Sequence, residues 1–416
     1  MPKTNNPSRR HCMVVFARYP WGETRVQREA EALLKHGYEV DVICLRLDSN
    51  VAVDCYKGVQ IYREKFRFPT SLAKSGSLRE KLLNYVWLFI IAASRLTKLY
   101  LQKRYDTIQV HNLPDFLVFC ALIPKLLGVP IILDLHDLMP EFYAGRSKQN
   151  NSLAARLICW QERLACRFAD HVITVSEHWR QALIQRGVPA YKCSVVMNVA
   201  DESVFHDPKN KSLHTHDKDS FRLIYHGALP ERYGLDLAIR AIDKVRQDIP
   251  GVHLTLVGQG GILPRLQDMI EELRLSQHVT IERPHLAEEL PGIICSCDLG
   301  IVPYRNDVFT DGLLPTKLME YAALGLPAIA SRTTAINAYF HDTMVEFFAP
   351  GDVDDLARCM RALYDNPARL AELAKGSRKF NQQYNWTRIG AEYVELVERL
   401  RRTRAELGKG QERQDM

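Results

Sequence analysis

The strongest constraint on the fold is an alternation of short apolar segments with amphipathic segments, which runs through the chain twice. The first run extends from Cys12–Ala17 to Cys193–Met197, and the second begins at Phe221–Tyr225. Apolar segments that alternate with stretches of helical periodicity predict βαβ units and a mostly parallel sheet covered on both faces. The polar stretch Asp207–Ser220 separates the two runs. We therefore expect an α/β protein with two Rossmann-like, doubly wound domains and a ligand in the cleft between them.

The length and composition fit this organisation. With 416 residues, 46% of them hydrophobic, the chain can bury two cores. We expect a first domain over 1–200, a second over 201–390, and a helix with a charged tail over 391–416. The ten cysteines form no Cys-x-x-Cys pair and the polar start Met1–Arg10 lacks an apolar signal region, so we expect a cytoplasmic protein.

Charge is distributed unevenly along the chain. Residues 1–200 hold 28 Lys and Arg against 17 Asp and Glu, a net charge of +11, and the remainder has a net charge of −5. A basic first half could attract anionic lipid, a lipid-linked phosphate or nucleic acid. No nucleic-acid-binding module accompanies it, so we expect no nucleic-acid partner.

The apolar run Leu82–Leu101 lies within this basic half. Its uninterrupted part, Val86–Ala93, is too short to span a bilayer, which takes about 20 apolar residues. A buried helix is the favoured interpretation. The alternative is a helix in the membrane interface, to which Tyr85, Trp87 and the flanking basic residues are suited.

The segment Asp311–Ala330 indicates a ligand site. It predicts a loop, a helix that starts at Pro315 and stops at Gly325, and a short strand. Lys317 and Glu320 lie one turn apart on one helix face. A helix N-terminus with a lysine suits phosphate, and the carboxylate could accept hydrogen bonds from sugar hydroxyls. The alternative is a capped surface helix with a Lys/Glu pair.

This segment resembles the nucleotide-sugar helix of retaining GT-B glycosyltransferases of family 4. That helix carries two glutamates separated by seven residues, followed by a Gly-x-Pro turn. Glu320 matches the second glutamate, which holds the ribose in the family. The first falls on Gly312, beside Asp311, and this departure concerns recognition of the donor sugar more than nucleotide binding.

Two first-half segments extend the resemblance. Leu133–Glu141 resembles the family's strand-ending histidine segment, which implies that His136 lies beside the donor sugar; His111, at the end of the preceding strand, is a weaker candidate. Tyr19–Arg25 lies where the family has a glycine-rich loop near the donor diphosphate, which implies roles for Gly22 and Arg25.

Three second-half segments do the same. Asn198–Asp201 resembles the family's domain crossover. In His226–Gly234, Ala228 and Tyr233 replace two basic residues that bind diphosphate in the family, so Arg232 is expected to substitute, together with Lys317. Val257–Gly261 resembles a loop that ends a strand near the nucleotide, which points to Gly258.

The resemblance implies a GT-B, metal-independent hexosyl- or N-acetylhexosaminyltransferase without a cofactor, using a UDP- or GDP-sugar. The expected acceptor is a saccharide, most simply a lipid-linked one in surface polysaccharide biosynthesis, with the protein on the inner face of the plasma membrane. A nucleotide-sugar epimerase and a non-catalytic nucleotide-sugar- or lipid-binding partner are the alternatives. The expected catalytic residues are His136, Arg232 and Lys317. The expected donor-binding residues are Gly22, Arg25, Asp311, Thr316, Glu320 and Gly258.

Overall fold

The two runs of alternating segments fold into two separate sheets. The computed structural model describes residues 9–20, 23–46, 51–65, 78–145, 153–206, 220–249 and 251–414. The chain divides into a first unit, Met1–Met197 with Thr387–Met416, and a second unit, Asn198–Trp386. The contacts thus assign the C-terminal segment to the first unit, whereas the sequence suggested a separate helix and tail over 391–416.

The first unit contains an eight-stranded sheet in the order β3-β4-β2-β1-β5-β6-β7-β8. Its neighbouring strands are parallel, except that β3 and β4 form an antiparallel hairpin. The strands are β1 (Arg9–Val14), β2 (Tyr38–Arg46), β3 (Val53–Tyr56), β4 (Val59–Lys65), β5 (Thr107–His111), β6 (Ile131–Leu135), β7 (His171–Thr174) and β8 (Cys193–Val195). The helices before residue 198 are α1 (Thr24–Lys35), α2 (Leu78–Lys103), α3 (Leu122–Leu126), α4 (Met139–Ala144), α5 (Leu153–Phe168) and α6 (Glu177–Gln185).

The second unit contains a six-stranded parallel sheet in the order β11-β10-β9-β12-β13-β14. Its strands are β9 (Phe221–Ala228), β10 (Val252–Gln259), β11 (Val279–Glu282), β12 (Leu299–Val302), β13 (Ala328–Ser331) and β14 (Glu346–Phe348). Its helices are α7 (Leu235–Val245), α8 (Leu263–Glu272), α9 (Leu290–Ile294), α10 (Thr316–Leu324), α11 (Thr334–Tyr339), α12 (Val353–Tyr364) and α13 (Pro367–Gln383). Both sheets have the predicted parallel α/β character.

The last helix, α14 (Trp386–Gln414), packs on the first sheet. The Tyr393 hydroxyl donates to Oε1 of Gln109 at 2.7 Å, and the Tyr38 hydroxyl donates to Glu398 at 2.6 Å. Because Tyr393 and Gln109 are both buried, α14 is part of the core of the first unit.

Two local features depart from the regular alternation of strands and α-helices. The stretch after residue 46 includes the hairpin β3-β4, which turns at Lys57 and Gly58 with positive φ angles. Between β5 and β6 lies a 3-10 segment, Asp115–Ala121, followed by the short helix α3. Pro124 has no N–H to donate within a helix, and the α-helix begins late enough to place it in the first turn, where none is needed.

The apolar run that the sequence placed at Leu82–Leu101 lies in α2, which is buried on one side only. Leu88, Leu96 and Leu99 are buried, whereas Val86 and Ile90 are about half exposed. None of the described helices combines the length and apolar character needed to cross a membrane.

Two glycines shape the end of the second sheet. Gly258 at the end of β10 pairs with Gly227 of β9. A Cβ on Gly258 would lie 1.9 Å from the carbonyl oxygen of Gly227, and the Gly258 φ of +154° also disfavours a side chain. The two strands can therefore approach this closely only because residue 258 has no side chain.

We expect Gly258→Ala to lower the free energy of unfolding by at least about 2 kcal/mol, because the new methyl group must displace backbone. Gly261→Ala is the matched control in the same loop, since a Cβ there meets nothing within 4 Å. Urea denaturation of both variants measures the difference. Equal stabilities would contradict the close approach.

Candidate functional site

Lys317 is the central charged residue of the second unit. It is the second residue of α10 and is 6% exposed. Its Nζ donates to the Tyr304 hydroxyl at 2.8 Å and lies 4.8, 5.2 and 5.1 Å from the ring centroids of Tyr225, Tyr233 and Tyr304. A Cβ on Gly227 would lie 3.6 Å from Cε of Lys317, so the ammonium group lies beside the backbone at the end of β9.

Burial lowers the pKa of Lys317 from its usual 10.5 to about 8, and Glu320 opposes this shift. An ammonium group that has lost water without gaining a close carboxylate is destabilised relative to its neutral form. A bound anion would restore the missing electrostatic stabilisation, so this position favours a negatively charged ligand.

Glu320 lies one turn after Lys317 and contacts His226. Nε2 of His226 is 3.3 Å from Oε2 of Glu320, and the Glu320 side chain is 18% exposed. Burial, with a smaller contribution from Lys317, lowers the pKa of His226 to about 3, so the imidazole is neutral at pH 7. The imidazole thus packs directly against the Glu320 carboxylate and restrains its position. The sequence did not assign His226 a role, although its place at a strand end before a glycine was a usable signal.

Three other candidate residues of the second unit are Thr316, Arg232 and Asp311. Thr316 is exposed at the first position of α10, where backbone N–H groups are available to an anion. Arg232 is half-buried, with its guanidinium 5.0 Å from the Phe309 ring centroid, and adjoins Tyr233 in a 3-10 segment. Oδ1 of Asp311 accepts a hydrogen bond from the Thr334 N–H at 2.9 Å, which ties its loop to the start of α11. This contact gives Asp311 a structural partner, and its expected contact with the donor stays a prediction.

Arg25 of the first unit is similarly engaged. It is 4% exposed, and its Nε and Nη2 donate to the two carboxylate oxygens of Asp134 at 2.8 and 2.9 Å. Nη1 donates to the Val196 carbonyl at 2.7 Å, and Glu29 lies 3.2 Å away. The guanidinium thus binds buried protein oxygens, a structural role, while the donor-binding role implied by the resemblance stays a prediction. Gly22 lies outside the described residues.

His136 lies above the same carboxylate network. Its Nε2 is 2.6 Å from the Asn112 carbonyl oxygen, its backbone N–H donates to Oδ1 of Asn112, and its ring stacks on His111 at 5.7 Å. Burial lowers the pKa of His136 to about 4, although Asp134 opposes the shift. A neutral ring that donates from Nε2 to a carbonyl has Nδ1 as an acceptor, which can hold a sugar hydroxyl.

The ligand atoms of His111, Asp134 and His136 lie within 4.8 Å of one another, a spacing that a metal ion could use. However, both oxygens of Asp134 bind Arg25, and Nδ1 of His111 is 2.9 Å from Oδ2 of the same carboxylate. Despite the penalty of its own burial, Arg25 holds the pKa of Asp134 well below its usual range. A buried arginine competes with a cation for these oxygens, so we interpret the cluster as a hydrogen-bonded network.

We expect Arg25→Met to destabilise the protein by about 3–5 kcal/mol, because it leaves buried carboxylates without their cation. Arg388→Met is the matched control: this arginine, 63% exposed, pairs with Glu392 one turn away, and its loss should matter little. Urea denaturation measures both.

Calorimetry on the folded Arg25→Met variant distinguishes the two roles of Arg25. If Arg25 only supports the fold, the variant binds UDP or GDP with nearly unchanged affinity. Normal stability together with lost nucleotide affinity would instead support a phosphate-binding role for Arg25.

The chain thus contains two α/β units, the second with a buried lysine and a carboxylate near its strand ends. Residues 22–198 match the family described as Glycosyl transferase 4-like domain, and residues 220–366 match Glycosyl transferases group 1. The chain belongs to this glycosyltransferase family, as the sequence resemblance implied.

Individual relatives are more distant. The chain is 30% identical over 183 residues to a GDP-mannose-dependent alpha-(1-6)-phosphatidylinositol monomannoside mannosyltransferase of Mycolicibacterium smegmatis, covering 42% of this chain and 47% of that protein. It is 27% identical over 237 residues to the amylovoran biosynthesis glycosyltransferase AmsK of Erwinia amylovora, covering 55% and 56%. It is 27% identical over 324 residues to the putative colanic acid biosynthesis glycosyl transferase WcaI of Escherichia coli, covering 72% and 76%. The chain thus spans about half the length of the first two relatives.

Solved structures share the fold. Sucrose-phosphate synthase from Thermosynechococcus elongatus superposes with a TM-score of 0.74 at 18% identity, covering 94% of this chain and 99% of that one. HepE of Anabaena in complex with UDP-glucose superposes with a TM-score of 0.69 at 17% identity over the same shares. These matches confirm the predicted GT-B fold class.

Proposed function

We propose that the protein is a retaining glycosyltransferase that moves a hexosyl or N-acetylhexosaminyl group from a UDP- or GDP-sugar to a saccharide acceptor, without a metal ion. The observation that carries this proposal is the buried ammonium of Lys317 beside the Gly227 backbone, one helical turn from Glu320. A fixed cation and a carboxylate at this spacing suit the diphosphate and the ribose of one nucleotide.

Each part of the donor then has a partner. Lys317 and the N-terminus of α10 at Thr316 bind the diphosphate, with Arg232 adding charge from the adjacent 3-10 segment. Glu320, oriented by His226, accepts hydrogen bonds from the ribose. His136 contributes a neutral acceptor for a donor-sugar hydroxyl.

The chemical step must stabilise a departing diphosphate and a sugar with oxocarbenium character. The bond from the anomeric carbon to the diphosphate oxygen breaks, and the acceptor oxygen bonds to the same face of that carbon. The acceptor proton passes to the departing phosphate oxygen. Preorganised charge from Lys317 and Arg232 acts most strongly where negative charge grows, and it replaces the metal ion that other transferases use.

Two other functions fit parts of the structure. A nucleotide-sugar epimerase would release a changed donor without an acceptor, and a non-catalytic partner would bind donor without turnover. Product analysis with purified protein, a panel of UDP- and GDP-sugars and saccharide acceptors distinguishes the three. Anomeric NMR of the product tests retention, and full activity in EDTA tests metal independence.

We expect Lys317→Met to weaken nucleotide binding strongly while stabilising the unliganded protein. Below about pH 8, Lys317 is charged in both the folded and the unfolded state, and burying the charge destabilises the folded state fully. As the pH rises from about 8 to 10.5, the folded state loses the proton before the unfolded state does, so this destabilisation declines. Removing the charge should therefore add about 1–3 kcal/mol of stability at pH 7. Thermal unfolding with and without UDP or GDP measures both effects.

The control for this variant is Lys244→Met, which removes an exposed lysine paired with Asp354 and should change neither property. Lys317→Met that keeps nucleotide-induced stabilisation would contradict the site. Glu320→Gln should weaken nucleotide binding by about 1.5–3 kcal/mol. In the Glu320→Gln protein, nucleotide binding should still depend on Lys317.

We further propose a lipid-linked saccharide acceptor at an anionic membrane surface. The relatives' names refer to colanic acid biosynthesis, amylovoran biosynthesis and a phosphatidylinositol monomannoside. A phosphatidylinositol monomannoside is a lipid-linked saccharide, and this supports a lipid-linked acceptor for the present chain.

The helix layer of the first unit supplies a suitable surface. Helices α2 and α5 lie on the same face, because Tyr85 and Phe168 contact Phe116 and Phe119 of one 3-10 segment. Both helices leave large apolar side chains exposed: Leu83, Val86 and Ile90 on α2, and Leu153, Leu157 and Trp160 on α5.

Helix α5 adds positive charge to this face. Arg156, Arg163 and Arg167 are exposed, whereas Glu162, the sole acid of α5, is buried and paired with Arg186. Exposed aromatic, aliphatic and basic side chains together favour the interface of an anionic bilayer. The sequence drew attention to α2 alone, because the burial of Glu162 was not visible in it.

We expect the protein to co-sediment with anionic vesicles more than with neutral ones, and less as salt rises, because ions screen the arginines. Trp160→Glu should reduce binding several-fold. Gln267→Glu, the same charge change at an exposed position of α8 in the second unit, is the control. Equal binding to both vesicle types, unaffected by Trp160→Glu, would favour a soluble acceptor.

A further inference from the structure

We propose that Tyr304 is a positioning residue that fixes the ammonium group of Lys317 for the donor diphosphate; this inference rests on the proposed function. Tyr304 follows β12 and is 1% exposed. Neither the sequence nor the family resemblance assigned it a role.

Tyr304 is itself held on two sides. Its backbone carbonyl accepts a hydrogen bond from the Ser331 hydroxyl of β13 at 2.6 Å. Its ring stacks on Tyr233 with centroids 4.2 Å apart and planes 17° apart. A side chain restrained in this way can define the position of a flexible lysine.

The partners of Lys317 orient its charge without neutralising it. The Tyr304 hydroxyl accepts one of the three ammonium hydrogens, and the rings of Tyr225, Tyr233 and Tyr304 surround the group within 5.2 Å. Aromatic faces attract a cation, but they carry no net negative charge. A carboxylate in the place of Tyr304 would compete with the diphosphate, whereas a phenol leaves the positive charge for the ligand.

The titratable and charged groups around Lys317 come from four elements. Tyr225 and His226 belong to β9, Tyr233 to the 3-10 segment after it, Tyr304 to the loop after β12, and Glu320 to α10. Of these, the Tyr304 hydroxyl oxygen accepts a hydrogen bond directly from the ammonium group, so deleting this one atom is a specific perturbation.

The test is Tyr304→Phe, which keeps the ring and removes the hydroxyl. Tyr321→Phe is the matched control, because Tyr321 is equally buried and its hydroxyl donates to the Ile224 carbonyl instead. The first measurement is NMR titration of ε-13C-labelled lysine, with the Lys317 signal assigned by Lys317→Met. It reports the state of Lys317 whether or not the protein turns over.

Tyr304→Phe should move the Lys317 titration to lower pH, because the hydroxyl stabilises the charged form. It should also lower kcat/KM for the sugar nucleotide about ten- to a hundred-fold, the scale of a hydrogen bond to a charged group. Tyr321→Phe should change neither.

An unchanged titration in Tyr304→Phe, or an equal change in both variants, would overturn the positioning role. If Tyr304→Phe shifts the Lys317 titration but the wild-type protein forms no product, the positioning role of Tyr304 is supported and the proposed transferase activity is rejected. If Tyr304→Phe shows normal turnover and an unshifted titration, the positioning role of Tyr304 is rejected and the proposed transferase activity is kept.

Discussion

The burial of one ammonium group is the constraint on which the functional site depends. Burial removes most of the hydration of Lys317 and lowers its pKa to about 8. A phenol hydroxyl and three aromatic faces hold the ammonium group without neutralising it. Glycine at 258 lets the ends of β9 and β10 approach closely, and the Gly227 backbone lies beside the ammonium group. The buried charge destabilises the unliganded protein, and a bound anion removes this cost. Ligand binding therefore stabilises the folded state.

The first unit also contains a buried cation, but it is stabilised differently. Arg25 is also buried, but Asp134, Glu29 and a backbone carbonyl satisfy it within the protein. The network continues through Gln109 to Tyr393 of α14, so the C-terminal helix completes the core beneath His111 and His136. Here the buried charges are satisfied within the protein, whereas in the proposed site of the second unit the buried charge is left for a ligand.

Local sequence chemistry predicted much of this arrangement. The βαβ alternation indicated both sheets, and Pro315, Lys317 and Glu320 placed the start of α10 and its two functional side chains, since such signals act over a few residues. What could not be predicted depends on distant partners. Asp134 is 109 residues from Arg25, and Tyr393 is 284 residues from Gln109. Likewise, the tyrosines around Lys317 come from β9, the following 3-10 segment and the loop after β12, and no local pattern unites them.

The most direct test of the account is the proton balance of nucleotide binding. At pH 8, calorimetry of UDP or GDP binding in buffers of different ionisation enthalpy should show uptake of up to about half a proton, because a diphosphate beside Lys317 raises a pKa that starts near 8. The uptake should disappear at pH 6, where Lys317 is already charged, and Lys317→Met should show none at pH 8. Tight binding without proton uptake at pH 8, or uptake that persists in Lys317→Met, would contradict the claim that this buried ammonium is the diphosphate-binding charge.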